Sequence, residues 1–347
     1  MSAWQPQQQD YPSGPRQHDT RRALTVLALA MTALVALSLW ALCLGRVPLA
    51  LNQVVSVIGG DAPAAITRVV LEWRLPRIAA ALLCGSALAV SGALFQSLMR
   101  NPLGSPDVMG FDTGAWSGVL VAMIVCHATA AGIALGAVVG GSLTAIVIVL
   151  LTWQRHRPLS PMVLIVVGIG VRALLIAFNS GMIMNASLDA ALSAGLWGAG
   201  SLAGLNWHSL FTPGGMMCVS VLLIAWQSRG LRLLEMGDDT ARGLGMAIGQ
   251  TRIGLILAGV LLVAAATALT GPIAFIALIA PQIMRRLSPA PQLRLLLAAL
   301  GGALLLLAAD MAAQHLFLPY QLPVGVVTAS LGGIYLLGLL LREVRSS

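Results

Sequence analysis

Residues 23–44 read ALTVLALAMTALVALSLWALCL, with no charge anywhere in the stretch. A helix rises about 1.5 Å per residue and a bilayer's hydrocarbon is about 30 Å thick, so roughly 20 apolar residues cross it. This run is long enough to span, and too long for the apolar core of a secretory signal peptide. The rest of the 347-residue chain has the same character: 58% of it is hydrophobic and 9% charged. Soluble domains carry about 25% charged residues. With so few charges a soluble fold could not cover its surface, so the chain reads as an all-α polytopic membrane protein.

Ten apolar runs are expected to cross: 23–44, 77–98, 116–126, 131–153, 162–178, 209–226, 253–269, 272–284, 295–313 and 324–341. The third and eighth are short and broken by Gly or Pro. The charges test the count. All 20 basic residues are Arg, and the formal net charge is +8. Cytoplasmic gaps should be rich in Arg. With Arg21 and Arg22 holding the N-terminus inside, ten crossings put most arginines in cytoplasmic gaps and leave Arg46, Arg68, Arg74 and Arg77 outside. Merging the third run with a neighbour would move Arg229, Arg232, Arg242 and Arg252 outside, and merging the eighth would invert everything after it, against the rule. Ten crossings with both termini cytoplasmic is therefore the expectation. The scatter of arginines in short gaps speaks for topology, not for a nucleic-acid partner.

Polar residues 1–22 are expected to form a disordered cytoplasmic tail, with 23–345 as the transmembrane domain. Cys43, Cys84, Cys126 and Cys218 each sit in apolar text without ligand spacing, and the five His are scattered, so neither a metal nor a cofactor is expected. No G-x-x-x-x-G-K-[ST] pattern occurs, and none could without Lys. The chain is therefore expected to be no enzyme, with any ATP hydrolysis supplied by another subunit.

Three places depart from the apolar text. Residues 99–118, MRNPLGSPDVMGFDTGAWSG, gather Asn101, Pro102, Gly104, Pro106 and Gly110. The prolines end and restart helix, Asn101 and Asp107 can cap the new one, and the glycines permit sharp turns. Non-helical backbone at membrane depth survives only when packed in protein or facing water. A rigid turn packed near the inner mouth of a pore is favoured over direct substrate contact. Second, residues 228–252, SRGLRLLEMGDDTARGLGMAIGQTR, form a long cytoplasmic loop with Glu235, Asp238 and Asp239 among four arginines. Small residues between polar ones suggest two short helices joined by a tight turn. Such helices dock into a groove on a partner, or the loop is merely solvated. Third, Arg172 stands inside the fifth run and Asp310 inside the ninth. Arg172 should face the bundle interior or a cavity and find a partner there. A buried structural pair and a pathway role are equally open.

The stretches RLPR (74–77), SGALFQSLMRNPLGSPDVMG (91–110), GPIAFIALIAPQIMRR (271–286) and LPVGVVTASLGGIYL (322–336) resemble FecCD/BtuC-type permease subunits of ABC importers, which take up ferric siderophores, haem and vitamin B12. Within that family, EWRLPR, LLEMGDDTA and PYQLPVGVVT are most similar to permeases for ferric catecholates such as ferric enterobactin. The resemblance implies a type II ABC importer permease fold in a bacterial inner membrane. It implies a second homologous permease chain, two ATPase subunits, a periplasmic substrate-binding protein and a ferric siderophore as partners. Arg74 and Arg77 match the family's docking arginines for the binding protein. Gln314 stands where the family has a further basic residue. The 228–252 loop matches the coupling loop that grips the ATPase, which gives Glu235, Gly237, Asp238, Asp239, Thr240, Ala241 and Gly245 an expected coupling role. The alternatives are another iron chelate, haem or cobalamin as cargo, or an ion-coupled secondary transporter. The last would want titratable groups near mid-membrane.

Overall fold

The protein was examined as a computed structural model that describes residues 17–45, 47–152, 161–288, 294–316 and 320–346. The chain begins with the long helix α1 (Gln17–Cys43), then the short α2 (Leu51–Gly59) and α3 (Ala64–Arg68). A π-helical turn, Val69–Arg74, runs directly into α4 (Leu75–Met99). After a broken stretch come α5 (Pro106–Met109) and α6 (Phe111–Leu120), which a second π-helical segment, Val121–Val125, prolongs. Next are α7 (Ala130–Thr152), α8 (Pro161–Met184), the short α9 (Leu188–Gly198) and α10 (Trp207–Trp226). Two small helices, α11 (Ser228–Glu235) and α12 (Asp238–Gly243), lead to α13 (Ile248–Thr270), α14 (Ile276–Leu287), α15 (Arg294–His315) and α16 (Val324–Ser346).

Each of the ten expected crossings coincides with a helix, and all described regular structure is helical. Among the described residues, seven helices are long and apolar enough to cross a membrane alone. Lipid offers no hydrogen bonds, so each spanning segment must satisfy its own backbone, which a helix does. The remaining three crossings coincide with α6 and its π-helical extension, with the 12-residue α14, and with the apolar part of α16, Val324–Gly338. The third crossing starts at Phe111, five residues before the expected position, because Gly110 at φ 80° lets the helix restart there. As a result Asp112 also lies inside a crossing. The eighth starts late, at Ile276, because Gly271 and Phe275 hold left-handed φ values of 73° and 70°. Residues 1–16 of the expected tail lie outside the described residues, whereas 17–22 are the first turns of α1.

The core is built on α4 and α13, which are covered on most sides, whereas α1 and α8 turn broad apolar faces outward. α4 packs against α13, α14 and α15, and α6 packs against α7. Small residues make this closeness possible, since in lipid helices associate by tight packing. A Cβ on Gly302 of α15 would sit 2.1 Å from the Gly85 carbonyl oxygen of α4, and one on Gly85 would sit 2.3 Å from the Gly302 oxygen. Gly118 of α6 and Gly136 of α7 form a similar seam. The Gly-rich text of α7 and α15 thus serves helix contact.

Candidate functional site

Both ends of α4 carry charge. At one end Met99 is followed by Arg100, whose φ of 49° ends the helix in a left-handed cap. The α11–α12 pair packs here against α4 and α13. α11 is amphipathic: Leu231 and Leu234 are buried while Arg229 and Arg232 are exposed. Gly237, at φ 117°, makes the turn between the two helices. Gly245, at φ 77°, returns the chain toward α13, and Ala241 is buried beneath it.

The loop's acids divide by direction. Glu235 faces inward, where it accepts from Ser97 Oγ of α4 at 2.7 Å and pairs with Arg294, the first residue of α15. Asp238 also faces inward and pairs with Arg100. Its two oxygens lie 3.0 and 3.2 Å from Nη2 of buried Arg252 on α13. Arg100 also donates to the Leu234 carbonyl at 3.2 Å. Asp239 and Thr240 face outward, with Asp239 3.6 Å from Arg242. Met236 and Leu244 join them as exposed apolar side chains, 65% and 63% accessible. Sequence reasoning missed them because in an oily chain a Met or Leu carries no signal by itself.

At the other end of α4, Arg77 makes a two-pronged pair with Asp310 of α15, Nε to Oδ2 and Nη2 to Oδ1 both at 2.9 Å. Gln314, one turn on, donates to Asp310 Oδ2 at 2.8 Å. Arg74 donates to the carbonyls of Leu42 and Val47, tying down the end of α1. Both arginines expected at a docking surface therefore have their guanidinium groups engaged within the chain. Among the described residues, Arg68 is an exposed cation at this end, 3.6 Å from exposed Glu72. A small cavity of about 260 Å³ lies beside Arg74, Arg77 and Gln314.

Between the ends, the 100–110 turn wedges in beside α4, α8 and α14. Asn101 Oδ1 accepts from Leu103 N at 2.9 Å and so caps a local turn. Asp107 does not cap the helix it begins. Its Oδ2 accepts from the Phe275 amide at 3.1 Å and caps α14, because the left-handed Phe275 aims that N–H across the gap. Gln282 Nε2 of α14 donates to the Pro102 carbonyl at 2.7 Å, and Gln96 Nε2 of α4 to the Leu278 carbonyl at 3.0 Å. Gly104 and Pro106 are buried, and a Cβ on Gly104 would press on Met99. A Cβ on Gly110 would sit 2.7 Å from Arg172 Cβ, so this glycine lets the turn lie on α8. The two broken motifs, around Pro102 and around Phe275, thus interlock.

Arg172 and Asp310 do not meet. Arg172 is exposed on α8, forms no ion pair within 4 Å among the described residues, and has Asp107 and Asp112 as its nearby acids.

Comparison with known proteins agrees with this architecture. Residues 33–342 match the FecCD transport family. The chain is 55% identical over 326 residues to the ferric enterobactin transport system permease protein FepG of Escherichia coli, covering 94% of this chain and 98% of that one. It is 34% identical to the achromobactin transport system permease protein CbrC of Dickeya dadantii, covering 91% of each. It is 35% identical to the hemin transport system permease protein HmuU of Yersinia pestis, covering 92% of this chain and 96% of that one. Among solved structures, a metal-chelate type ABC transporter in an inward-facing conformation superposes with a TM-score of 0.81 at 27% identity, covering 92% of this chain and 99% of that one.

Proposed function

The chain belongs to the FecCD transport family, and from that premise we propose that it is the permease subunit of a bacterial inner-membrane ABC importer for a ferric siderophore. Ferric enterobactin or another ferric catecholate is the cargo, on the strength of the 55% identity to a ferric enterobactin permease. It works beside a second, related permease chain and two ATPase subunits, and receives cargo from a periplasmic binding protein. Both termini and the α11–α12 loop lie in the cytoplasm.

The observation that carries the mechanism is the split face of the loop. Leu231, Leu234, Glu235, Asp238 and Ala241 fasten it to the bundle, while Met236, Asp239, Thr240, Arg242 and Leu244 stand outward, available to a partner. The apolar side chains supply buried area in the groove of an ATPase and the charges set its register. Gly237 and Gly245 hold the turns that shape this surface. ATP binding and release then rock the paired permeases between outward and inward states, and the cargo shifts that balance only by differential affinity. At the opposite end the binding protein docks around exposed Arg68, on a surface that Arg74 and Arg77 keep rigid. The turn 101–110, including Asn101, Pro102, Gly104, Pro106 and Gly110, is a structural wedge beside the path, and exposed Arg172 faces the path or the second permease.

Sided labelling tests this. With the four native cysteines replaced, a cysteine at 239 should react with an impermeant maleimide only in inverted vesicles. It should cross-link to the ATPase when that subunit is co-expressed. Labelling in intact spheroplasts, or a purified complex without ATPase, overturns the assignment.

A further inference from the structure

α4 and α15 are joined at both ends as well as in the middle. Arg77 near the start of α4 holds Asp310 near the end of α15. Ser97 near the end of α4 accepts from Arg294, the first residue of α15, at 3.1 Å, and both hold Glu235. The two helices therefore run antiparallel. Twenty residues separate Arg77 from Ser97, about 30 Å of helix. That is about the thickness of the hydrocarbon, so the two ion-paired junctions mark its two faces. Between them, Gly85 and Gly302 bring the backbones together, and Ser86 Oγ donates to the Ala299 carbonyl at 3.1 Å. Close-packed helices move as bodies rather than deform smoothly.

Resting on the reading that an ATPase engages this loop, we propose that Glu235 is a positioning residue which, through Arg294 and Ser97, fastens the loop to the α4–α15 strut, so that a displacement of α11–α12 reaches the end that meets the binding protein. Glu235 touches neither nucleotide nor cargo in this account. It acts through Arg294. Asp238 makes a parallel fastening, through Arg100 to α4 and through Arg252 to α13. The division of labour is specific. Arg294 alone connects the loop to α15 by an ion pair among the described residues, and Asp310 on the same helix connects it to the far end. Loss of the Glu235–Arg294 pair should leave the outward face of the loop in place and cut its direct ion pair to α15, while Asp238 still holds Arg100 at the end of α4.

The experiment uses the complete importer in proteoliposomes, with its ATPase, second permease and binding protein, and reads ferric enterobactin imported per ATP hydrolysed. Glu235→Gln and Arg294→Gln are each expected to lower that ratio about tenfold, within the range seen when a coupled network is cut. Arg294→Lys, which keeps the charge, should recover most of it. The exchanged pair Glu235→Arg with Arg294→Glu should exceed both single charge reversals. Wild-type ratios in the Gln variants, or an exchanged pair no better than Glu235→Arg alone, overturn the proposal. A wild-type importer that carries no ferric catecholate, or holds no ATPase at the loop, fails instead on the function proposed above.

Discussion

Arg77 and Asp310 lie 233 positions apart in sequence and close a two-pronged ion pair, both contacts at 2.9 Å, with the Asp310 side chain only 3% exposed. A buried carboxylate without its partner is costly, and breaking such a pair from one side typically loses about 3–5 kcal/mol. Arg77→Ala should therefore lower the detergent-solubilised thermal midpoint more than Arg77→Ala combined with Asp310→Asn, since the second change removes the stranded charge. Equal loss in both variants would mean that the pair contributes through Arg77 alone.

The Gly85–Gly302 contact leaves no room for a side chain. Gly302→Val should push α4 from α15 and destabilise by about 1–3 kcal/mol, the usual range for overpacking. Gly181→Ala on α8, where a Cβ meets nothing within 4 Å, should cost nothing and add up to about 1 kcal/mol through helix propensity. Thermal unfolding in detergent compares the two directly.

Asp107 accepts from the amide of Phe275 and so holds the start of α14. Asp107→Leu leaves that amide without its acceptor, at a cost of about 1–3 kcal/mol. Asp107→Asn keeps an acceptor in place and should be milder. Protease sensitivity of the 271–275 segment should rise in the Leu variant and stay near wild type in the Asn variant.

On the loop, Met236→Ser with Leu244→Ser removes exposed apolar area and should weaken ATPase co-purification while the permease keeps its thermal midpoint. Leu231→Ser with Leu234→Ser should do the reverse, because those side chains are buried. Gly245→Ala forces a side chain into φ 77°, a strain of about 1–2 kcal/mol. It should lower cargo imported per ATP hydrolysed.

Much of this was legible from the text of the chain. Apolar run length placed a helix at each expected crossing, with the third and eighth displaced at their starts, because a helix in lipid has to be apolar over a fixed distance. The broken text at 99–118 was readable as a packed turn, since Pro and Gly constrain the backbone locally. What Asp107 does there was not readable. Its partner is a single amide 168 positions away, made available only by the left-handed Phe275. The contacts that Arg74 and Arg77 make within the chain were not readable for a related reason. An Arg outside the positive-inside pattern signals that something compensates for it, but sequence does not say whether that is a partner protein or an aspartate on another helix. For Arg77 an aspartate on another helix, Asp310, is in place, and Gln314 donates to that same aspartate. In the 228–252 loop the acids were visible as a group, yet the split of Glu235 and Asp238 inward from Asp239 outward depends on helix ends that meet only in the fold.

The most direct test is transport itself, in vesicles containing this chain, its related permease, the ATPase and the binding protein, with ATP enclosed on the loop side and every ion gradient collapsed by ionophores. Ferric enterobactin should accumulate inside with ATP and stay out with a non-hydrolysable analogue. Accumulation that ignores ATP and follows an imposed proton or sodium gradient would contradict the account.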